Sequence, residues 1–95
     1  MLPFFMAYFV YILYSRSADV FYKGQTDDLP DRIQRHNQGR EKATCQGVPW
    51  QLLWSVEKPD RKSAMQLEKK LKNLSRKRLL EFISKYRNGL RALTP

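Results

Sequence analysis

Tyr11-Ile12-Leu13, a polar break at Arg16-Ser17-Ala18-Asp19, then Tyr22-Lys23-Gly24-Gln25-Thr26 and Leu29-Pro30-Asp31-Arg32-Ile33-Gln34-Arg35-His36: this stretch decides how the rest of the chain folds. Aromatic and branched residues without a breaker predict a strand over 8–15. The four polar residues after it predict a tight turn, and 20–25 the returning strand. Such a hairpin puts Tyr11 across from Tyr22 or within one position of it. Gly24 either ends the second strand or admits a close neighbour.

A helix follows, with Asp28 as its expected cap and Pro30 tolerated in the first turn. At about 100° per residue, with Leu29 at zero, Ile33 falls near 40°, Arg32 near 300° and His36 near 340°. Arg32 and His36 therefore flank the apolar stripe, whereas Asp31 and Gln34 point to water. An arginine that served only solubility would sit on the outer side.

Residues 37–49 read as a loop punctuated by Gly39, Gly47 and Pro49. A third strand is predicted over 50–57, with Trp50, Leu52, Trp54 and Val56 alternating onto one face as core. Ser63 is the expected cap of a second helix, with Gln66 completing a capping box. On that helix Glu68 is the one carboxylate and lies on the apolar side. An unpaired carboxylate there is costly, so it calls for a metal or a cationic partner, and a neighbouring lysine is the structural alternative. Ser75 is the expected cap of a third helix that buries Leu79, Phe82, Ile83 and Tyr86. Its first turn, Arg76-Lys77-Arg78, has the wrong sign for a helix N-terminus, a conflict relieved by a bound phosphate or by water.

The order strand-strand-helix-strand-helix-helix defines a small α/β (α+β) domain over 8–86. Its three-stranded, mainly antiparallel sheet is flanked by helices, with a ragged lead-in at 1–7 and a loosely held tail at 87–95. Eighteen Lys+Arg against nine Asp+Glu in 95 residues give a net charge of +9. That excess favours a polyanionic partner, most often nucleic acid. A single Cys and a single His exclude an internal disulfide and a Cys/His zinc site within one chain. A reducing compartment, the cytoplasm, fits. The apolar start is too short to span a bilayer and lacks a basic leader, so no membrane association is expected.

Two tyrosines on neighbouring strands, an arginine on the helix that follows and a glutamate further on resemble the GIY-YIG endonuclease domain. The tripeptides read Phe9-Val10-Tyr11 and Tyr22-Lys23-Gly24; both keep the tyrosine, and the second keeps the glycine. The resemblance, to the short stand-alone bacterial version, implies that Tyr11, Tyr22, Arg32, His36 and Glu68 form the site. It implies one Mg²⁺ or Mn²⁺ on Glu68, a phosphate on Arg32, and Tyr11 as base with Tyr22 orienting water or phosphate, the two tyrosine roles being open to exchange. Asn73 and Asn88 follow Glu68, but neither has a convincing family spacing. The activity implied is metal-dependent hydrolysis of DNA, RNA not being excluded, directed by substrate structure more than by sequence. Lys23, Arg40, Lys42, Arg76, Lys77 and Arg78 are the expected backbone contacts, and a protein partner for targeting stays open. A non-catalytic nucleic-acid-binding domain and a small protein-interaction module are the competing classes.

Overall fold

The computed structural model describes residues 7–86. The expected lead-in, apart from Ala7, and the expected tail with Asn88 lie outside the described residues. Strand β1 (Tyr8–Ser15) is central, flanked by β2 (Val20–Thr26) and β3 (Trp50–Lys58), and both pairings are antiparallel. Helix α1 (Leu29–Asn37) covers one face, while α2 (Arg61–Lys72) and α3 (Arg76–Lys85) cover the other. The α+β order is the one expected.

Four consecutive buried residues, Val10 to Leu13, mark β1 as a strand covered on both faces. Val10 and Ile12 pack with Trp54, Ala64, Leu71, Leu79 and Ile83. Tyr11 and Leu13 pack with Trp50, against which Leu29 and Ile33 of α1 rest. The two tryptophans are thus core, as expected, but not on one face. Ile12 pairs with Trp54 while Leu13 pairs with Leu52, so the register slips by one at Leu53. A bulge of this kind reverses the facing of everything beyond it. Trp50 and Leu52 therefore join the α1 layer, and Trp54 and Val56 the α2–α3 layer.

The hairpin register also differs from expectation. Tyr11 faces Gly24, and Tyr22 faces Leu13, two positions away on the same side. Gly24 is required by that pairing: a Cβ there would stand 2.5 Å from the Tyr11 hydroxyl and 2.7 Å from Cζ. The turn is closed by Asp19 in the left-handed region (φ 55°), which accepts from Tyr14 Oη at 2.7 Å.

The caps are as expected on α1 and α3, where Asp28 accepts from Asp31 N and Ser75 from Arg78 N. On α2 the cap is Asp60, accepting from the amide of Ser63, so the helix starts three residues before the expected position. Asp60 wins because a carboxylate at the positive helix end gains charge as well as a hydrogen bond. Tyr86, expected in the buried stripe of α3, is the C-cap and is exposed, while its carbonyl accepts from Trp54 Nε1 at 2.8 Å.

Candidate active site

Tyr11 points from the central strand into the α1 layer and is fully buried. Its hydroxyl lies 2.9 Å from His36 Nε2, and His36 Nδ1 lies 2.7 Å from the Thr44 hydroxyl. His36 is only 2 % exposed, deeper than the Leu29 and Ile33 it was expected to flank, because this chain of polar contacts satisfies both ring nitrogens. Thr44, absent from the sequence-based site, is itself buried, and its carbonyl accepts from Trp50 Nε1 at 2.8 Å. Asn37 holds the start of β3 from the end of α1, donating Nδ2 to the Trp50 carbonyl and accepting from its amide. Those bonds tie the two ends of loop 38–49 together, and Thr44 of that loop meets His36.

Tyr22 joins the group from the edge strand. Its ring centroid is 6.3 Å from that of Tyr11 and 5.0 Å from that of His36, edge-on to the latter. Arg32, one turn before His36, lies close enough for its charge to act on the Tyr11 hydroxyl. It makes no ion pair among the described residues, and its Nε is buried without a partner. A buried guanidinium donor left open calls for an acceptor such as a phosphate oxygen.

Glu68 approaches from the other layer, on α2. Its Oε1 accepts from Gln25 Nε2 at 3.0 Å, and its Oε2 stands 2.9 Å from Lys72 Nζ. Gln25 follows Gly24 on β2, so it points to the α2 side while Tyr22 points to the α1 side. A recess of about 330 Å³ at the strand ends is walled by Gln25, Thr26, Asp27, Arg32, Arg61 and Tyr8. It links the arginine of one layer to the glutamine that grips the carboxylate of the other. The Lys72 bond is the lysine pairing that the sequence offered as the structural alternative for Glu68, whereas Gln25 was missed by sequence reasoning. The i,i+4 spacing of Glu68 and Lys72 signalled the pair, but nothing local signalled Gln25.

The protonation pattern follows from burial. Burial, then the neighbouring Tyr22, pushes the Tyr11 phenol well above its usual range, with Arg32 opposing. Burial also holds His36 below its ordinary value, aided by Arg32 and Arg35 and opposed by Glu41. His36 is therefore neutral at pH 7. Because its folded-state value is depressed, unfolded chains bind a proton near pH 6.5 while the folded protein resists, so stability is full above about pH 6.5 and falls as pH drops below it. The depressed carboxyls of Asp19 and Asp60 act only at lower pH, through and below the ordinary Asp range near 3.9. Urea midpoints between pH 8 and 5 should fall for the native protein and stay nearly flat for His36→Gln; equal slopes would place the loss elsewhere.

The other expected contacts are scattered. Arg40 and Lys42 lie in the loop after α1, Arg40 donating to Gln38 at 3.0 Å. Lys23 faces the opposite side of the sheet from Tyr22, near Arg76 and Leu79. Arg76 is committed to the hairpin turn: Nη2 meets Asp19 Oδ1 at 2.8 Å, Nη1 donates to its carbonyl at 3.1 Å, and the guanidinium lies over Phe21. Lys77 and Arg78 are exposed. Asn73 is the C-cap of α2 and exposed.

The fold is an antiparallel three-stranded α+β domain that gathers two tyrosines, a histidine and an arginine in one layer and carries a carboxylate, held by Gln25 and Lys72, in the other. The GIY-YIG catalytic domain matches residues 7–86, and the chain belongs to that family, which is generally one of nucleases. The solution NMR structure of the UPF0213 protein BH0048 from Bacillus halodurans is similar over 85 % of this chain and 86 % of that one, with 32 % identity and a TM-score of 0.58. No curated protein sequence matches the chain. Among the described residues, no helix is long and apolar enough to cross a membrane.

Proposed function

We propose that the domain is a metal-dependent endonuclease acting on phosphodiester bonds of DNA, with RNA a second polyanion of the same chemistry, and that substrate shape matters more than sequence. The observation that carries this reading is the buried Tyr11 hydroxyl, bonded to a neutral His36 with Arg32 beside it. With Nδ1–H of His36 donating to Thr44, Nε2 is free to accept the Tyr11 O–H. Burial disfavours a free phenolate and a protonated His36 alike, so the relay is concerted, with the Tyr11 proton passing onto Nε2 as the Tyr11 oxygen takes a proton from water and Arg32 stabilises the passing negative charge. The hydroxide so formed attacks phosphorus, the bond to the leaving sugar oxygen breaks, and the proton held on His36 returns through Tyr11 and water to that oxygen. Tyr22 lines the same space and orients the water or phosphate. Arg32 holds the phosphate through its paired donors and gains most as negative charge is added.

No group of three or more His, Cys, Asp or Glu side chains converges among the described residues. Glu68 therefore offers a one-carboxylate site, the donor set that Mg²⁺ accepts when water and phosphate fill its remaining positions. Glu68, steadied by Gln25, would hold one Mg²⁺ or Mn²⁺, which supplies charge stabilisation for the phosphate and the leaving oxygen. Lys72 must yield its bond for this to happen.

The same Lys72–Glu68 pair favours a second reading, a nucleic-acid-binding domain that kept the fold without cleavage. The two are separated by nicking assays on duplex, flap, forked and single-stranded substrates with Mg²⁺ or Mn²⁺, comparing the native protein with Tyr11→Phe. The variant keeps the ring in the core and leaves His36 Nε2 without its partner, at a cost of about 1–3 kcal/mol. Nicking should fall by about 10²–10⁴-fold with binding intact. Native-level nicking by Tyr11→Phe would remove the tyrosine from the role of base. No nicking of any substrate by the native protein would leave the second reading standing.

A further inference from the structure

Helix α2 distributes its charges unevenly. With Ala64 at zero and about 100° per residue, Glu68 lies near 40°, Arg61 near 60°, Lys72 near 80°, Lys69 near 140° and Lys62 near 160°. Four cations thus share one face with a single carboxylate, which Lys72 already neutralises at 2.9 Å. Arg61, Lys62 and Lys69 are exposed, and none has an ion-pair partner among the described residues. Met65, 50 % exposed, sits in their midst. These side chains wall one shallow groove, and Arg61 also walls the recess that holds Arg32. The groove and the recess that holds Arg32 thus adjoin at Arg61. The basic first turn of α3 has no such continuity, and its Arg76 is held by Asp19.

We infer that the α2 face is the backbone track for the nucleic acid whose phosphate reaches Arg32, with Arg61, Lys62 and Lys69 on phosphates and Met65 against a sugar edge. This rests on the nuclease reading. A row of unpaired cations matches a polymer with one charge at each step. The 12 residues of α2 span about 18 Å, or about five steps of a strand at roughly 3.4 Å each. Contacts of this kind do not read bases, which accounts for a preference for shape over sequence.

The test is the salt dependence of metal-free binding to a 20-mer duplex and a 20-mer single strand, measured by fluorescence anisotropy between 50 and 200 mM salt. The α2 triple variant Arg61→Ala/Lys62→Ala/Lys69→Ala is compared with the equally charged control Lys42→Ala/Lys77→Ala/Arg78→Ala. The α2 variant should lower the slope of log K against log salt by roughly two, from about 0.7–0.9 per phosphate contact, and the control by less than half as much. Affinity at 50 mM salt should drop at least tenfold for the α2 variant. Equal slopes for the two triples would overturn the track while leaving the nuclease reading in place. Native protein that binds neither probe in a salt-dependent way would instead remove the reading beneath it. Tighter binding of polyglutamate than of either probe would assign the face to an acidic protein. If the triple unfolds, Lys62→Gln/Lys69→Gln takes its place, with an expected slope change of more than about one and the same control.

Discussion

Glu68→Gln is expected to abolish Mg²⁺- or Mn²⁺-dependent nicking while the protein stays folded. The substitution keeps the shape and a carbonyl oxygen that still accepts from Gln25, but removes the charge an ion requires. What it loses structurally is the bond to Lys72, whose side chain is 53 % exposed. The Glu68 side chain is 17 % exposed, so losing the pair should cost more than the roughly 0.3–0.5 kcal/mol typical of exposed i,i+4 pairs, about 1 kcal/mol, a modest drop in the thermal midpoint. Metal-free binding to DNA should persist or tighten, since a negative charge near phosphate has gone. The competing role, a structural ion pair, shares the modest drop but leaves nicking close to normal. Measuring thermal midpoint and nicking rate on the same preparation decides between them, and near-normal nicking sinks the metal assignment.

Arg32→Ala is expected to lose nicking by about 10²–10³-fold, the range for removing a preorganised donor to a developing oxyanion. Binding should change little, because Arg32 is one of 18 Lys and Arg residues. Arg32→Lys should rescue little, since an ammonium has neither the planar fork nor the Nε donor that is buried without a partner here. Two titrations give an independent readout. Arg32 favours the Tyr11 phenolate and disfavours protonated His36, so its removal should push the Tyr11 pKa still higher and bring that of His36 back up towards its ordinary value. A lysine variant with nearly full activity would reduce the role to simple charge.

The element order was legible because it depends on local chemistry. The unbroken apolar run of β1, Asp28 before Leu29-Pro30 and Ser75 before α3 act within a few residues of themselves. The one-sided placing of Arg32 and His36 was legible too, since helical period alone sets which side chains share a face. Local signals also misled where two caps competed: Asp60 starts α2, not Ser63.

By itself, the sequence determined the β-β-α-β-α-α order, the basic charge and the identities of the tyrosines, histidine, arginine and glutamate proposed for the site. Tertiary structure alone decided how they meet. The slip at Leu53 sent Trp50 and Trp54 to opposite layers, because pairing register is settled between strands and not within one. Tyr11 came to face Gly24, and His36 came to sit between Tyr11 and Thr44, through contacts 25 and 8 residues apart in the chain. Gln25 reached Glu68 across 43 residues, from an edge strand to a helix on the far face. Such contacts leave no local trace, since each is made only after sheet and helices have packed and buried polar groups have had to find partners in space.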